Sequence, residues 1–122
     1  MQTDRELLEL AAKAAGIDYL VWTPGTSPIV PAERRIGGQM HWNPIHDDGD
    51  ALRLAVKLRI SIDHNHSADH QRWVSADRNG CEGCYSPVSA VEDEFEESER
   101  PAATRRAIVR AAAEIGAKMG EE

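Results

Sequence analysis

Apolar residues recur at helical spacing in three stretches of this 122-residue chain, and in short runs or alternation between them. Leu7, Leu10, Ala11 and Ala14 form the first stripe, widened by Leu8 and Ala15. Thr3-Asp4-Arg5-Glu6 ahead of it reads as a capping box, and Gly16 supplies a left-handed stop. A second helix is predicted after Asp47 or Asp48, with Leu52, Ala55 and Val56 facing inward and Arg53, Lys57 and Arg59 facing water. The third places Ser98 or Glu99 near its cap, Pro101 in its first turn, and Ile108, Val109, Ala112 and Ile115 on one face.

Between the helices the period shortens. Tyr19 to Trp22 is aromatic and β-branched and reads as a first strand, ending before Pro24. Gln39 to Trp42 reads as a second, paired with the first as a wide hairpin across a loop of prolines and glycines from Thr23 to Gly38. Ile60 and Ile62 alternate with Ser61 and Asp63 as a third strand. Gln71 to Ala76, with Trp73 and Val74, makes a fourth, and Tyr85 to Val91 a fifth interrupted by Pro87. Three helices and about four to five short strands predict one α+β domain over residues 1–122, an antiparallel sheet covered by helices. A domain of that size buries about two thirds of its unfolded surface, enough for one modest core.

Charge changes the picture at one place. The formal net charge is −7, and Glu92, Asp93, Glu94, Glu96, Glu97 and Glu99 crowd into the segment from Val91 to Glu99 with no base among them. Such a run is either a solvated loop whose carboxylates favour the positive end of the next helix, or a surface that meets a basic protein partner or imitates nucleic-acid phosphates. A pI near 5.2 lacks the basic footprint of direct nucleic-acid binding. No apolar run approaches the roughly 18 residues of a membrane span. The N-terminal residues read as a helix start rather than a signal peptide, so a soluble cytoplasmic protein with reduced cysteines is expected.

Three segments carry a family resemblance: Asp4 to Ile17, Trp42-Asn-Pro through Asp47 to Leu58, and Ala102 to Gly116. Together, over about half the chain, they resemble the phage ABA sandwich domain, found in small accessory proteins of tailed bacteriophages and prophages. The resemblance implies a three-layer α/β/α sandwich, a bacterial host cell, and no assigned activity. The loop at 23–38 and the His-rich turn after Ile62 depart from the common pattern.

Candidate chemistry is confined to one cluster. His64, His66 and His70 lie in a short polar stretch, and Cys81-Glu-Gly-Cys84 follows. Cys81 and Cys84 with His64 and His66 would satisfy tetrahedral zinc, with His70 as a spare ligand, but the order differs from a standard finger. The alternative is exposed turn histidines and two reduced thiols. Asp63-His64-Asn65-His66 imitates the letters of a His-Asn-His nuclease without the dispersed ligands or phosphate-holding bases that chemistry needs. No phosphate loop or serine-nucleophile motif is present in the sequence. Arg105, Arg106 and Arg110 form either a basic edge or a solvated face turned toward the acidic run. Burial is expected for Trp22, Trp42 and Trp73, an exposed Trp22 being an interface anchor instead. The expectation is a non-enzymatic accessory protein, of the anti-CRISPR or other anti-defence type, that binds a host protein complex through Glu92, Asp93, Glu94, Glu96 and Glu97. The alternative is a small zinc-binding protein built on the His and Cys cluster.

Overall fold

Thr3 accepts a hydrogen bond from the Glu6 amide at 3.1 Å while its own amide reaches the Glu6 carboxylate, which closes the capping box of helix α1, Asp4–Ala14. Gly16 at φ 84° ends it in the left-handed turn its missing side chain permits. The computed structural model describes residues 2–17, 19–25, 27–30, 41–80 and 87–119. Helix α2, Asp48–Leu58, is capped by Asp47, whose carboxylate accepts the Asp50 amide at 2.8 Å. Strands β1 (Ser61–His64), β2 (Trp73–Arg78) and β3 (Val88–Asp93) follow, then a 3₁₀ turn at Glu97–Glu99 and helix α3, Arg100–Met119.

The three strands form an antiparallel sheet in the order β1-β2-β3. Ile62 pairs with Ala76, Asp63 with Ser75 and His64 with Val74, while Trp73 pairs with Asp93 and Ala76 with Ala90. Pleating therefore puts Ile62, His64, Val74, Ala76, Val88, Ala90 and Glu92 on one face. Ser61, Asp63, Trp73, Ser75, Asp77, Ser89, Val91 and Asp93 share the other. The first face is closed by α3, which packs on β2 and β3 and also carries α1 and α2 against it. Within α3, Ala103, Ala107, Ile108, Val109, Ala111, Ala112, Ala113, Ile115 and Gly116 are buried, more than a single stripe, because the helix lies among three neighbours. Gly116 marks its tightest approach: a Cβ there would stand 2.0 Å from the Leu10 carbonyl oxygen of α1.

The fold is α+β with three helices and a three-stranded antiparallel sheet. Four to five strands in a three-layer sandwich exceed what the described residues display, for two reasons. Among the described residues, the expected strands at Tyr19–Trp22 and Gln39–Trp42 do not pair with each other. Ile29 stands between them, bridging Val21 on one side and His41 on the other, and each bridge is a single residue pair. Residues 31–40, which include part of the second expected strand, lie outside the described residues. Moreover, all three helices gather on the α3 side, so among the described residues no helix packs on the Asp63 and Asp77 face.

Helix α2 corrects a second expectation. Leu52 is 61% exposed and Val56 65%, whereas Ala51, Leu54, Ala55 and Leu58 are buried. The stripe is rotated by about one position, because α3 meets the 51, 54, 55, 58 edge, which is as regular as the 52, 55, 56 edge. Buried Asp50 locks that rotation: its carboxylate accepts the Asn43 amide at 2.9 Å and the Arg53 guanidinium at 2.7 Å.

Candidate functional site

The acidic run from Glu92 to Glu99 does not form one free patch. Glu92 lies on the α3 side of the sheet, where Arg110 hydrogen-bonds to its carboxylate and Arg106 approaches it at 3.9 Å. Glu97 takes both arms of Arg100, Nε to Oε2 at 2.6 Å and a terminal nitrogen to Oε1 at 2.9 Å. That fork, more than the charges of Arg100 and Arg72, holds the Glu97 carboxyl below the usual carboxylate range, and it raises the Arg100 guanidinium in turn. Glu96 stands 3.8 Å from Arg72, and Glu99 accepts the Glu96 amide at 3.1 Å. Asp93 and Glu94 have no ion-pair partner among the described residues. Arginines on α3 thus turn toward the acidic run at Glu92 and Glu97, while Arg105 instead binds Asp48 at 2.6 Å and the Ile45 carbonyl at 2.8 Å.

The two unpaired carboxylates rim a cavity of about 500 Å³ at the end of the sheet. It is lined by His70 and Arg72 from the β1–β2 connection, by Trp73 at the start of β2, and by Val91, Asp93, Glu94 and Phe95 from the end of β3. Trp73 and Asp93 are directly opposite on the open face of the sheet, so the indole and the carboxylate are immediate neighbours. Val91 beside them is 48% exposed. The chain turns there because Glu94 adopts a left-handed conformation, φ 57°, while its amide still reaches the Arg72 carbonyl at 3.3 Å. A tryptophan and two carboxylates lining one cavity are groups that attract a cationic side chain.

Arg100 lies outside this cavity, lining the neighbouring groove between α2, α3 and β1, yet it touches the residues that form the corner. Besides Glu97 it donates to the Asn65 carboxamide oxygen at 2.8 Å and the Trp73 carbonyl at 3.4 Å, and its guanidinium lies 5.1 Å from the Phe95 ring centre. It also meets His64 Nδ1 at 3.0 Å. A guanidinium only donates, so Nδ1 is the acceptor and the neutral ring carries its proton on Nε2. His66 is held the same way, its Nδ1 accepting the Ala68 amide at 3.1 Å. Both imidazoles thus use Nδ1 as an acceptor toward the protein. Cys81 and Cys84 lie outside the described residues, and among the described residues no group of three or more His, Cys, Asp or Glu side chains could hold a metal ion.

Of the tryptophans, Trp42 is buried, Trp22 is half-buried under the Arg5 guanidinium at 4.8 Å, and Trp73 is half-buried in the cavity. The role of Trp73 escaped the sequence because only register sets it against Asp93. Among the described residues no helix is long and apolar enough to cross a membrane. No family model, no curated protein and no solved structure matches the chain.

Proposed function

We propose that this protein works by binding another protein, without a catalytic reaction of its own, and that its target presents a cationic segment to the Trp73 cavity. The observation that carries the reading is that unpaired Asp93 and Glu94 line one cavity with Trp73, while Glu92, Glu96 and Glu97 face arginines of the same chain. An incoming arginine or lysine stacks its cation on Trp73 and donates hydrogen bonds to the Asp93 carboxylate, the aromatic contact adding about 0.5–2 kcal/mol depending on how far water is excluded. The partner-binding set expected from sequence thereby narrows from five acids to these two. The resemblance of the helical segments to phage ABA sandwich proteins supports a phage accessory protein directed against a host complex, in which a nucleic-acid-binding surface would supply the cations.

The test compares capture from bacterial lysate by the wild type and by an Asp93→Asn, Glu94→Gln double variant. A stoichiometric partner bound by the first and lost by the second supports the reading. Equal capture by both, or retention of a partner by a Trp73→Ala variant that still folds, defeats it.

A further inference from the structure

The chain holds three asparagines, and the fold treats each differently. Asparagine is thermolabile because the backbone nitrogen of the next residue can attack its carboxamide carbon. Asn43 is followed by Pro44, whose ring nitrogen carries no hydrogen to give up. Asn65 is followed by His66, whose amide is already donated to the Asp69 carboxylate at 3.0 Å. The Asn65 carboxamide is also pinned, its oxygen by Arg100 and the Trp73 amide and its nitrogen by the His66 carbonyl at 2.9 Å. Asn79 is followed by Gly80. Both are exposed and lie just beyond the end of β2, outside helix and strand, and among the described residues neither has a hydrogen-bond partner. Glycine has no Cβ to obstruct the approach and the widest backbone freedom with which to make it. Asp48-Gly49 shares the following glycine but sits in the first turn of α2, where the helical ψ keeps the carboxyl carbon away from the next amide and Arg105 holds the carboxylate at 2.6 Å.

We infer that Asn79 is a site of spontaneous modification, at which the folded chain loses ammonia and becomes a mixture of aspartate and isoaspartate. The Gly80 amide nitrogen, its proton passed to solvent hydroxide, attacks the Asn79 Cγ. The new N–Cγ bond closes a five-membered succinimide, the Cγ–Nδ2 bond breaks, and Nδ2 leaves as ammonia with a proton taken from water. Water then opens the ring. Cleavage at Cγ restores the ordinary backbone with an aspartate side chain, whereas cleavage at the main-chain carbonyl leaves the chain linked through Cγ as isoaspartate. One water is consumed and one ammonia released, with no oxidant or reductant. Either product adds a negative charge to a chain whose formal net charge is already −7, and isoaspartate also lengthens the β2–β3 connection by one backbone carbon. Trp73 opens β2 and Asn79 follows its last residue, so the two stand roughly 20 Å apart at about 3.3 Å per residue. The modification is therefore independent of whether the Trp73 cavity binds a partner.

The test incubates the full folded chain in mildly alkaline buffer made with ¹⁸O-water and follows each asparagine by peptide mapping and mass spectrometry. Heavy oxygen should enter at residue 79, with Asn43 and Asn65 unchanged over the same time. An L-isoaspartyl methyltransferase with labelled S-adenosylmethionine should then methylate the aged chain and leave fresh chain unlabelled. Gly80→Ala should slow the conversion about tenfold or more, because a Cβ crowds the attacking nitrogen. Asn79→Gln should slow it at least as much, since its ring would need six members; this variant decides the matter if Gly80→Ala does not fold. Circular dichroism checks the fold of each. Asn79 that persists while a free peptide carrying Arg78-Asn79-Gly80 is exhausted overturns the inference, as does conversion of Asn65 at the same rate as Asn79.

Discussion

Arg100 and Glu97 meet as a fork on a fork, two nitrogens on two oxygens at 2.6 and 2.9 Å, and through this pair the start of α3 is tied to the end of β1. The same guanidinium holds Asn65, whose carboxamide oxygen also accepts the Trp73 amide at 3.0 Å. One side chain therefore sets the corner in which Trp73 and Phe95 are presented.

The first prediction concerns acid. Glu97 is held below the ordinary carboxylate range chiefly by the Arg100 hydrogen bond, so its contribution is fully present above the unfolded value near 4.5. It is lost as pH falls through the lower folded value. Thermal melts taken downward from pH 5 should show a shallower loss of Tm in Glu97→Gln than in the wild type, with the difference shrinking in high salt because the pair is exposed. Parallel curves would remove Glu97 from the account.

Arg100→Lys should lower Tm at neutral pH even though charge is kept. An ammonium cannot serve Glu97, Asn65 and the Trp73 carbonyl from one plane. Trp73 emission should shift toward the red as the corner loosens, which near-UV circular dichroism can confirm.

Gly116→Ala should cost about 1–3 kcal/mol by overpacking, since the new methyl meets the Leu10 carbonyl oxygen rather than the movable end of a side chain. Urea denaturation measures it. An unchanged midpoint would mean that α1 and α3 do not cross as closely as described.

On α2 the rotation of the buried stripe separates two leucines. Leu54→Ala should cost about 2–5 kcal/mol and Leu52→Asn less than about 0.5 kcal/mol in the monomer, because Leu54 is 3% exposed and Leu52 61%. The reverse order in denaturant melts would restore the stripe expected from spacing alone.

Asp50→Ala should destabilise by about 1–3 kcal/mol, leaving the Asn43 amide without its acceptor in a part-buried setting. Hydrogen exchange should rise at Asn43 before it rises elsewhere.

What the sequence determined on its own is local. The Thr3 and Glu6 capping box, the Gly16 stop, the Asp47 cap, the helical face of Ile108, Val109 and Ile115, and the alternation around Ile62 were all legible, because each depends on residues within a few positions of one another. Tertiary structure decided the rest. The side of α2 that faces α3, the insertion of Ile29 between two expected strands, and the division of one acidic run into paired and unpaired carboxylates all depend on partners far along the chain. Arg110 finds Glu92 and Trp73 finds Asp93 only once the strand register is set, and register is a long-range quantity that composition and period do not contain.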